Sequence, residues 1–156
     1  MGFFEAGFLM GIAFEGDGRV VVSDDLNNDG QQDLILVEVR SDRKGNAFQT
    51  LRVFANKLKT SNHWIGIRLR EGVSHFSPIG ARVTIKTSTG EQVDSIVTGD
   101  SLYSQHSCTA HFGLGNIDSI KSIEVRWANG TIKKLENPEI DTYHLVDPPN
   151  AIIPKR

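Results

Sequence analysis

Apolar and polar residues alternate along much of this chain. In 81–87 and 123–127 every second residue is polar, as in a strand with one face on a core and one in water. No stretch of eleven or more residues, free of glycine and β-branched clusters, has the spacing of an amphipathic helix. Short β-rich runs bounded by Gly, Asp, Asn or Ser occur at 19–22, 33–40, 48–54, 64–70, 81–87, 92–97, 122–127, 131–135 and 142–146. The pattern predicts an all-β fold.

Turn signals separate these runs. Segments 88–91 and 128–131 each place a glycine where a tight reversal needs positive φ. Asn129-Gly130 lies between two alternating runs and predicts a two-residue hairpin loop. The polar segment 41–46 predicts a loop, and the basic, polar segment 57–62 predicts a junction between two domains.

One segment carries a metal-binding pattern. Residues 25–33 have the form D-x-N-x-D-G-x-x-D and lead directly into the apolar run 34–37. Oxygen side chains at loop positions 1, 3, 5 and 9, a carbonyl at 7 and a glycine at 6 suit a hard cation with six to eight oxygen ligands. The segment therefore predicts a Ca²⁺ site, with side-chain ligands and one backbone carbonyl, that of Gln31. The side-chain ligands are Asp25, Asn27, Asp29 and Asp33.

Two other interpretations of this loop are an EF-hand and a turn without metal. An EF-hand needs a bidentate Glu at position 12, where this chain has Leu36, and a helix on either side, so that reading fails. The other is an Asx-rich turn without metal, because Asp, Asn and Gly populate turns for backbone reasons alone. That alternative stays open, although it leaves the alternate oxygen positions and the acid at position 9 unexplained.

Composition excludes several classes of function. Hydrophobic residues make up 38% and charged residues 23%, which is typical of a folded protein. The net charge is −2 and no basic run is longer than two, which argues against a nucleic-acid partner. Cys108 is the only cysteine, so no internal disulfide forms.

The apolar start of the chain, 1–14, is too short to span a bilayer. It also lacks the basic region and the cleavage site of a signal peptide. If the parent protein is exported, its signal is expected outside this chain.

Catalytic patterns are absent. The five histidines show no H-x₃-H or H-E-x-x-H spacing, and His106 and His111 are expected on a loop. A triad of a serine with His111 lacks a G-x-S-x-G elbow. Segment 113–116 has neither the lysine nor the helix of a phosphate loop and predicts a β-turn or bulge. The sequence therefore predicts a protein that is not an enzyme.

Residues 25–37 resemble the calcium-loop-plus-strand signature of FG-GAP/VCBS repeats, the blade units of integrin-type propellers. Residues 1–58 then resemble a single propeller blade. A solitary blade cannot bury its own face, so it must pack on the following domain, on upstream propeller blades or on a second copy in a homodimer.

From residue 59 to 147 the chain resembles the ASPIC/UnbV domain, found behind FG-GAP/VCBS repeats in proteins of the cartilage acidic protein type. The matching segments are 62–69, 79–83, 99 with 101 and 103–105, 111–115, 122–127 and 129–130. The order of the two modules also matches that family. The resemblance implies a β-sandwich-like or barrel-like domain, followed here by a tail, 148–156.

The resemblance implies a non-catalytic, calcium-stabilised binding or adhesion module that is extracellular, periplasmic or on the cell surface, with a protein or glycan ligand. Candidate ligand-binding residues in or beside the matching segments are Arg82, Tyr103, Gln105 and His111. Trp64, Trp127 and Tyr103 could stack on sugar rings, although alternation makes both tryptophans core candidates. The alternatives are a carbohydrate-binding module and an accessory domain of a larger exported enzyme.

Overall fold

The architecture was analysed in a computed structural model, which describes residues 5–13, 16–71, 76–99 and 101–149. The described residues form ten strands and no helix, so the all-β prediction is confirmed. The strands are β1 (Asp17–Asp24), β2 (Asp33–Ser41), β3 (Ala47–Phe54), β4 (His63–Leu69), β5 (Arg82–Lys86), β6 (Glu91–Ser95), β7 (Thr109–Gly115), β8 (Ser122–Arg126), β9 (Ile132–Glu136) and β10 (Tyr143–Val146).

The strands are arranged in three sheets. The N-terminal sheet is an antiparallel β1-β2-β3 meander. The second sheet has the order β10-β4-β7, in which β10 runs parallel and β7 antiparallel to β4. The third sheet, β6-β5-β8-β9, is antiparallel throughout. The chain therefore changes sheet between β3 and β4, in the segment that sequence predicts as a domain junction.

The hydrophobic core lies between the second and third sheets. Alternate residues of β4, Ile65 and Ile67, are fully buried, as are Val83 and Ile85 of β5. Trp127, 2% exposed, closes the core against Phe76, with ring centroids 6.2 Å apart. This packing of two inward faces is that of a β-sandwich, the first of the two architectures that the resemblance implies.

Strand β7 corrects one prediction. The sequence places His111 on a loop, but it lies in the middle of β7, where Ala110, Phe112 and Leu114 point into the core. The expected bulge is present, because His63 pairs with Gly115 and the next β4 residue pairs with Gly113.

The loop between β8 and β9 differs from the two-residue hairpin loop that the sequence predicts. Arg126 pairs with Ile132, and Trp127 donates its N–H to the carbonyl of Thr131. The loop is therefore three residues long, 128–130, with Gly130 at φ 85°. This is the three-residue hairpin with a left-handed glycine, in place of the expected two-residue turn.

The predicted loop at 41–46 is confirmed, since residues 42–46 connect β2 to β3. No helix among the described residues is long and apolar enough to cross a membrane.

Candidate functional site

The predicted calcium loop connects β1 to β2. Its sharp bend comes from two residues with left-handed backbone conformations, Asn28 at φ 60° and Gly30 at φ 86°. Asparagine and glycine adopt this region most readily. The loop therefore has the backbone that its sequence predicts.

Asp25, at loop position 1, is 3% exposed and is an acceptor for three groups. Its Oδ1 accepts the N–H of Asp29 at 3.0 Å, and its Oδ2 accepts the N–H of Gly30 at 2.7 Å. The same Oδ2 accepts the phenol O–H of Tyr143, 118 residues away in sequence, at 2.8 Å. Buried carboxylates require such donors, because an unsatisfied buried charge is strongly destabilising.

Asp33, at loop position 9, is 2% exposed and closes the loop. Its Oδ2 accepts the N–H of Leu26 at 3.1 Å, and its Oδ1 accepts the N–H of Asn56 at 2.7 Å. The second bond ties the loop to the segment that follows β3. Asp33 therefore holds the start of the loop against β2 and ties β2 to the segment after β3.

The exposed side of the loop carries Asn27 and Asp29. The Asn27 amide donates to Asp29 Oδ2 at 2.8 Å, and the N–H of Gln31 donates to Asp29 Oδ1 at 2.9 Å. These two donors, the Asn27 amide first, lower the pKa of the Asp29 carboxyl, which is therefore ionised at neutral pH. Such contacts are typical of Asx turns.

The donor chemistry of this loop suits calcium, since it offers carboxylate, amide and carbonyl oxygens. The side chains are nevertheless directed at donors within the loop and at Tyr143. Among the described residues, no group of three or more His, Cys, Asp or Glu side chains is placed to hold one metal ion. The calcium site therefore stays a prediction from the sequence pattern.

The loop lies on the outer face of the second sheet. A Cβ built on Gly30 would come within 2.0 Å of Trp64 Nε1, so only a glycine allows this close approach. The indole of Trp64 stacks on the His111 ring, with centroids 5.3 Å apart and planes 9° apart. Its centroid is 4.8 Å from that of Tyr143.

Arg68 completes this contact. Its guanidinium lies 3.8 Å from the centroid of the Tyr143 ring and donates to Asn28 Oδ1 at 2.5 Å. We call Trp64, Arg68, His111 and Tyr143, together with the loop residues they touch, the junction. The junction fixes the N-terminal sheet on the sandwich through polar and aromatic contacts.

Burial sets the protonation states at the junction. Burial, followed by the nearby carboxylate of Asp25, raises the pKa of the Tyr143 phenol, so it remains a hydrogen-bond donor at neutral pH. Burial also lowers the pKa of His111, against the opposing charge of Asp25 and a hydrogen bond to the backbone of Gly30. His111 is therefore neutral at pH 7.

A histidine and an aspartate form a hydrogen-bonded pair beside the junction. His63 Nδ1 is 2.7 Å from Asp141 Oδ2, and Asp141 Oδ1 accepts the N–H of Trp64 at 3.1 Å. In the part of the chain that the structure describes, no serine, threonine or cysteine side chain hydrogen-bonds to His63. His75 lies outside the described residues.

The candidate ligand-binding residues are at separate positions. Arg82 is exposed on the outer face of β5, and Tyr103 is 93% exposed in a turn, with φ 52°. Gln105 lies in a shallow cleft beside Cys108 and Phe76. Of the four, His111 is the one in the junction. The sequence makes both tryptophans candidates for the core. The structure places Trp127 in the core and Trp64 at the junction.

The sequence does not identify Arg68, Asn56 and Tyr143 as site residues. Each hydrogen-bonds to a loop residue that is distant in sequence, so no local pattern could identify it. One signal was available at Gly66, a glycine in the middle of an apolar strand, which can indicate a close contact. The ring of Tyr143 lies on it, 2.1 Å from where a Cβ would be.

Comparison with known proteins identifies the C-terminal part. A search of curated proteins gave no match. A family model described as ASPIC and UnbV matches residues 72–153, whereas the sequence places this domain at 59–147. The matched segment begins after β4, so it leaves out the central strand of the second sheet. It spans 82 of the 156 residues, more than half of them, and the chain therefore belongs to the ASPIC and UnbV family.

Proposed function

We propose that this protein is a non-catalytic, calcium-stabilised binding or adhesion module of an extracellular, periplasmic or cell-surface protein. One observation carries the proposal: the acidic loop docks on the sandwich through the hydrogen bond from Tyr143 to the buried carboxylate of Asp25. An ion bound at this loop would stabilise the N-terminal sheet and its attachment together. ASPIC and UnbV domains are common in extracellular proteins, which supports the location.

The proposed calcium ligands are the side-chain oxygens of Asp25, Asn27, Asp29 and Asp33 and the carbonyl of Gln31. Calcium would neutralise three carboxylates that lie within nine residues of one another. Because the ion binds the folded loop, its binding free energy adds to stability. An ion concentration 100 times Kd would contribute about 2.7 kcal/mol.

A propeller-blade-like role for residues 1–58 is supported by the N-terminal sheet. One of its faces is aliphatic except at its margin, and none of these aliphatic side chains is buried. Register places these residues on one side: Val20, Val22, Ile35, Val37, Val39, Leu51 and Val53. We call this set the apolar face. It fits a unit that is stabilised by a further partner, as FG-GAP/VCBS blades are.

Calcium titration of chelator-stripped protein tests the proposal. We expect about one ion per chain by isothermal titration calorimetry and a higher melting temperature with calcium than with chelator. Asp29→Asn should weaken binding at least about tenfold, because it removes an exposed ligand charge. The matched control is Asp118→Asn, an exposed aspartate in the loop before β8.

Two results would contradict the proposal. One is a melting temperature that calcium leaves unchanged in protein shown to be free of the ion beforehand. The other is binding that Asp29→Asn and Asp118→Asn affect equally, since that would place the ion away from the loop.

A further inference from the structure

A polar cleft of about 300 Å³ lies where the sandwich is open between β6 and β7. Gln92 on β6 bridges the two strands by donating to the carbonyl of Gly113 at 3.2 Å. Ser23 and Asp24 of β1 and Gln32 of the loop before β2 also line the cleft. It is therefore built from both parts of the chain and depends on their attachment.

The cleft carries two carboxylates without a cation. Asp24 and Asp94 each use Oδ1 to accept the N–H of the following residue, at 2.9 Å and 2.7 Å. Neither forms an ion pair with any residue that the structure describes. The described lining of the cleft contains the ring of His106 but no lysine or arginine. The cleft is therefore negatively charged and attracts a positive group.

Short hydrogen-bonding groups line the rest of the cleft. Ser107 and Thr109 contribute hydroxyls, and His111 contributes its ring. Hydroxyl groups both accept and donate hydrogen bonds, as recognition of a ligand rich in hydroxyl groups requires.

We propose that this cleft binds an amine-bearing sugar ring of the glucosamine type. The ammonium group would pair with the carboxylates of Asp24 and Asp94, as a charge-assisted contact, while ring hydroxyls meet Ser107 and Thr109. The volume is at the lower end of ligand pockets, about 300–1,000 Å³, which fits a single ring. This inference rests on the proposed non-catalytic binding function and names its ligand class.

The test is calorimetric titration of the full chain in calcium buffer at pH 6 with three sugars. The probes are the glucosamine trimer, the neutral glucose trimer and the anionic galacturonate trimer. We expect the glucosamine trimer to bind at least about tenfold more tightly than the neutral one, and the anionic one not to bind. Lysine amide, which has two ammonium groups but no sugar ring, should bind at least about tenfold more weakly than the glucosamine trimer.

Asp94→Asn is the critical variant. It keeps the oxygen that accepts the N–H of Ser95 and removes the charge, so the fold should be preserved. We expect it to weaken binding of the glucosamine trimer about tenfold or more, as loss of a charge-assisted contact does. Asp118→Asn, outside the cleft, should leave that binding unchanged.

The inference is overturned if the glucosamine trimer gives no heat, if Asp94→Asn leaves its affinity unchanged, or if lysine amide binds equally well. Mass spectrometry of the incubated trimer separates this inference from the proposed function. Cleavage that Asp94→Asn abolishes would contradict the non-catalytic function and support the site. Calcium binding without sugar binding would overturn the site alone.

Discussion

At Gly30 the backbone of the loop lies directly against the indole of Trp64 on the sandwich. An alanine there would have its Cβ 2.0 Å from Trp64 Nε1 at φ 86°. We expect Gly30→Ala to lower the free energy of unfolding by about 3 kcal/mol, from overpacking and left-handed strain together. Urea denaturation followed by circular dichroism measures this.

Gly45→Ala is the matched control for that prediction. Gly45 has almost the same φ, 83°, but a Cβ there would meet no atom within 4 Å. Gly45→Ala should lower the free energy of unfolding only through the strain of the left-handed backbone, by about 1–2 kcal/mol. Equal losses in the two variants would show that the contact with Trp64 does not hold the loop in place.

Cys108 is buried and should be unreactive. Burial, followed by a hydrogen bond to Glu71, raises the pKa of its thiol from 9.0 to about 12. At pH 8 roughly one thiol in ten thousand is ionised in the folded chain, against roughly one in ten in the unfolded chain. We expect Ellman's reagent to label Cys108 rapidly in urea and only slowly without it.

The raised pKa of Cys108 also makes the stability of the folded protein depend on pH. Above pH 9 the unfolded chain loses this proton first, so the contribution of Cys108 to stability falls as pH rises from about 9 to about 12. Fast labelling of the native protein at pH 8 would contradict the burial of this thiol.

At the scale of elements, one hydrogen bond joins the loop to β10. Tyr143→Phe removes the O–H that Asp25 accepts and keeps the ring that packs on Gly66. Because the acceptor is a buried carboxylate, we expect the free energy of unfolding to fall by about 2 kcal/mol. Chemical denaturation of the full chain measures this loss.

Tyr103→Phe is the matched control for Tyr143→Phe. Tyr103 is 93% exposed, so its hydroxyl is free to bond to water in both states. We expect a change of less than about 0.5 kcal/mol. If both variants behaved alike, the bond from Tyr143 to Asp25 would contribute nothing to the attachment of the N-terminal sheet.

The elements show which patterns were predictable. Strands such as β5 and β8 alternate β-branched and polar residues, and the sequence predicts both. In β7 the apolar positions also alternate, but they are Ala110, Phe112 and Leu114 and are interspersed with glycines. Glycine and alanine have low β-propensity, so pairing with β4 and burial against the third sheet determine this strand, and no local signal reveals either.

For the whole molecule, alternation predicts a two-faced all-β fold but not the pairing of its strands. The parallel pairing of β10 with β4 joins Tyr143 to Gly66, 77 positions apart. The junction depends on this pairing, since it brings Tyr143 to the loop. The loop ligands were therefore predictable as a motif, whereas the surface on which the loop lies was not.

The apolar face of the N-terminal sheet supplies the last prediction. Leu51 and Val53 on it are 64% and 54% exposed. Contiguous exposed aliphatic side chains bind hydrophobic dyes, whereas isolated ones do not. We expect the folded protein to enhance anilinonaphthalene sulfonate fluorescence, and the double variant Leu51→Thr/Val53→Thr to reduce that enhancement at least about twofold, because it divides the face.

Ile132→Thr tests whether that effect belongs to the apolar face. Ile132 is 41% exposed on β9, in a different sheet, so its loss should leave the dye signal unchanged. Circular dichroism must show that all variants remain folded, because a partly unfolded chain also binds the dye. A dye signal that the double variant leaves intact would mean that the apolar face is covered in solution, and the proposal that this sheet requires a further partner would lose its support.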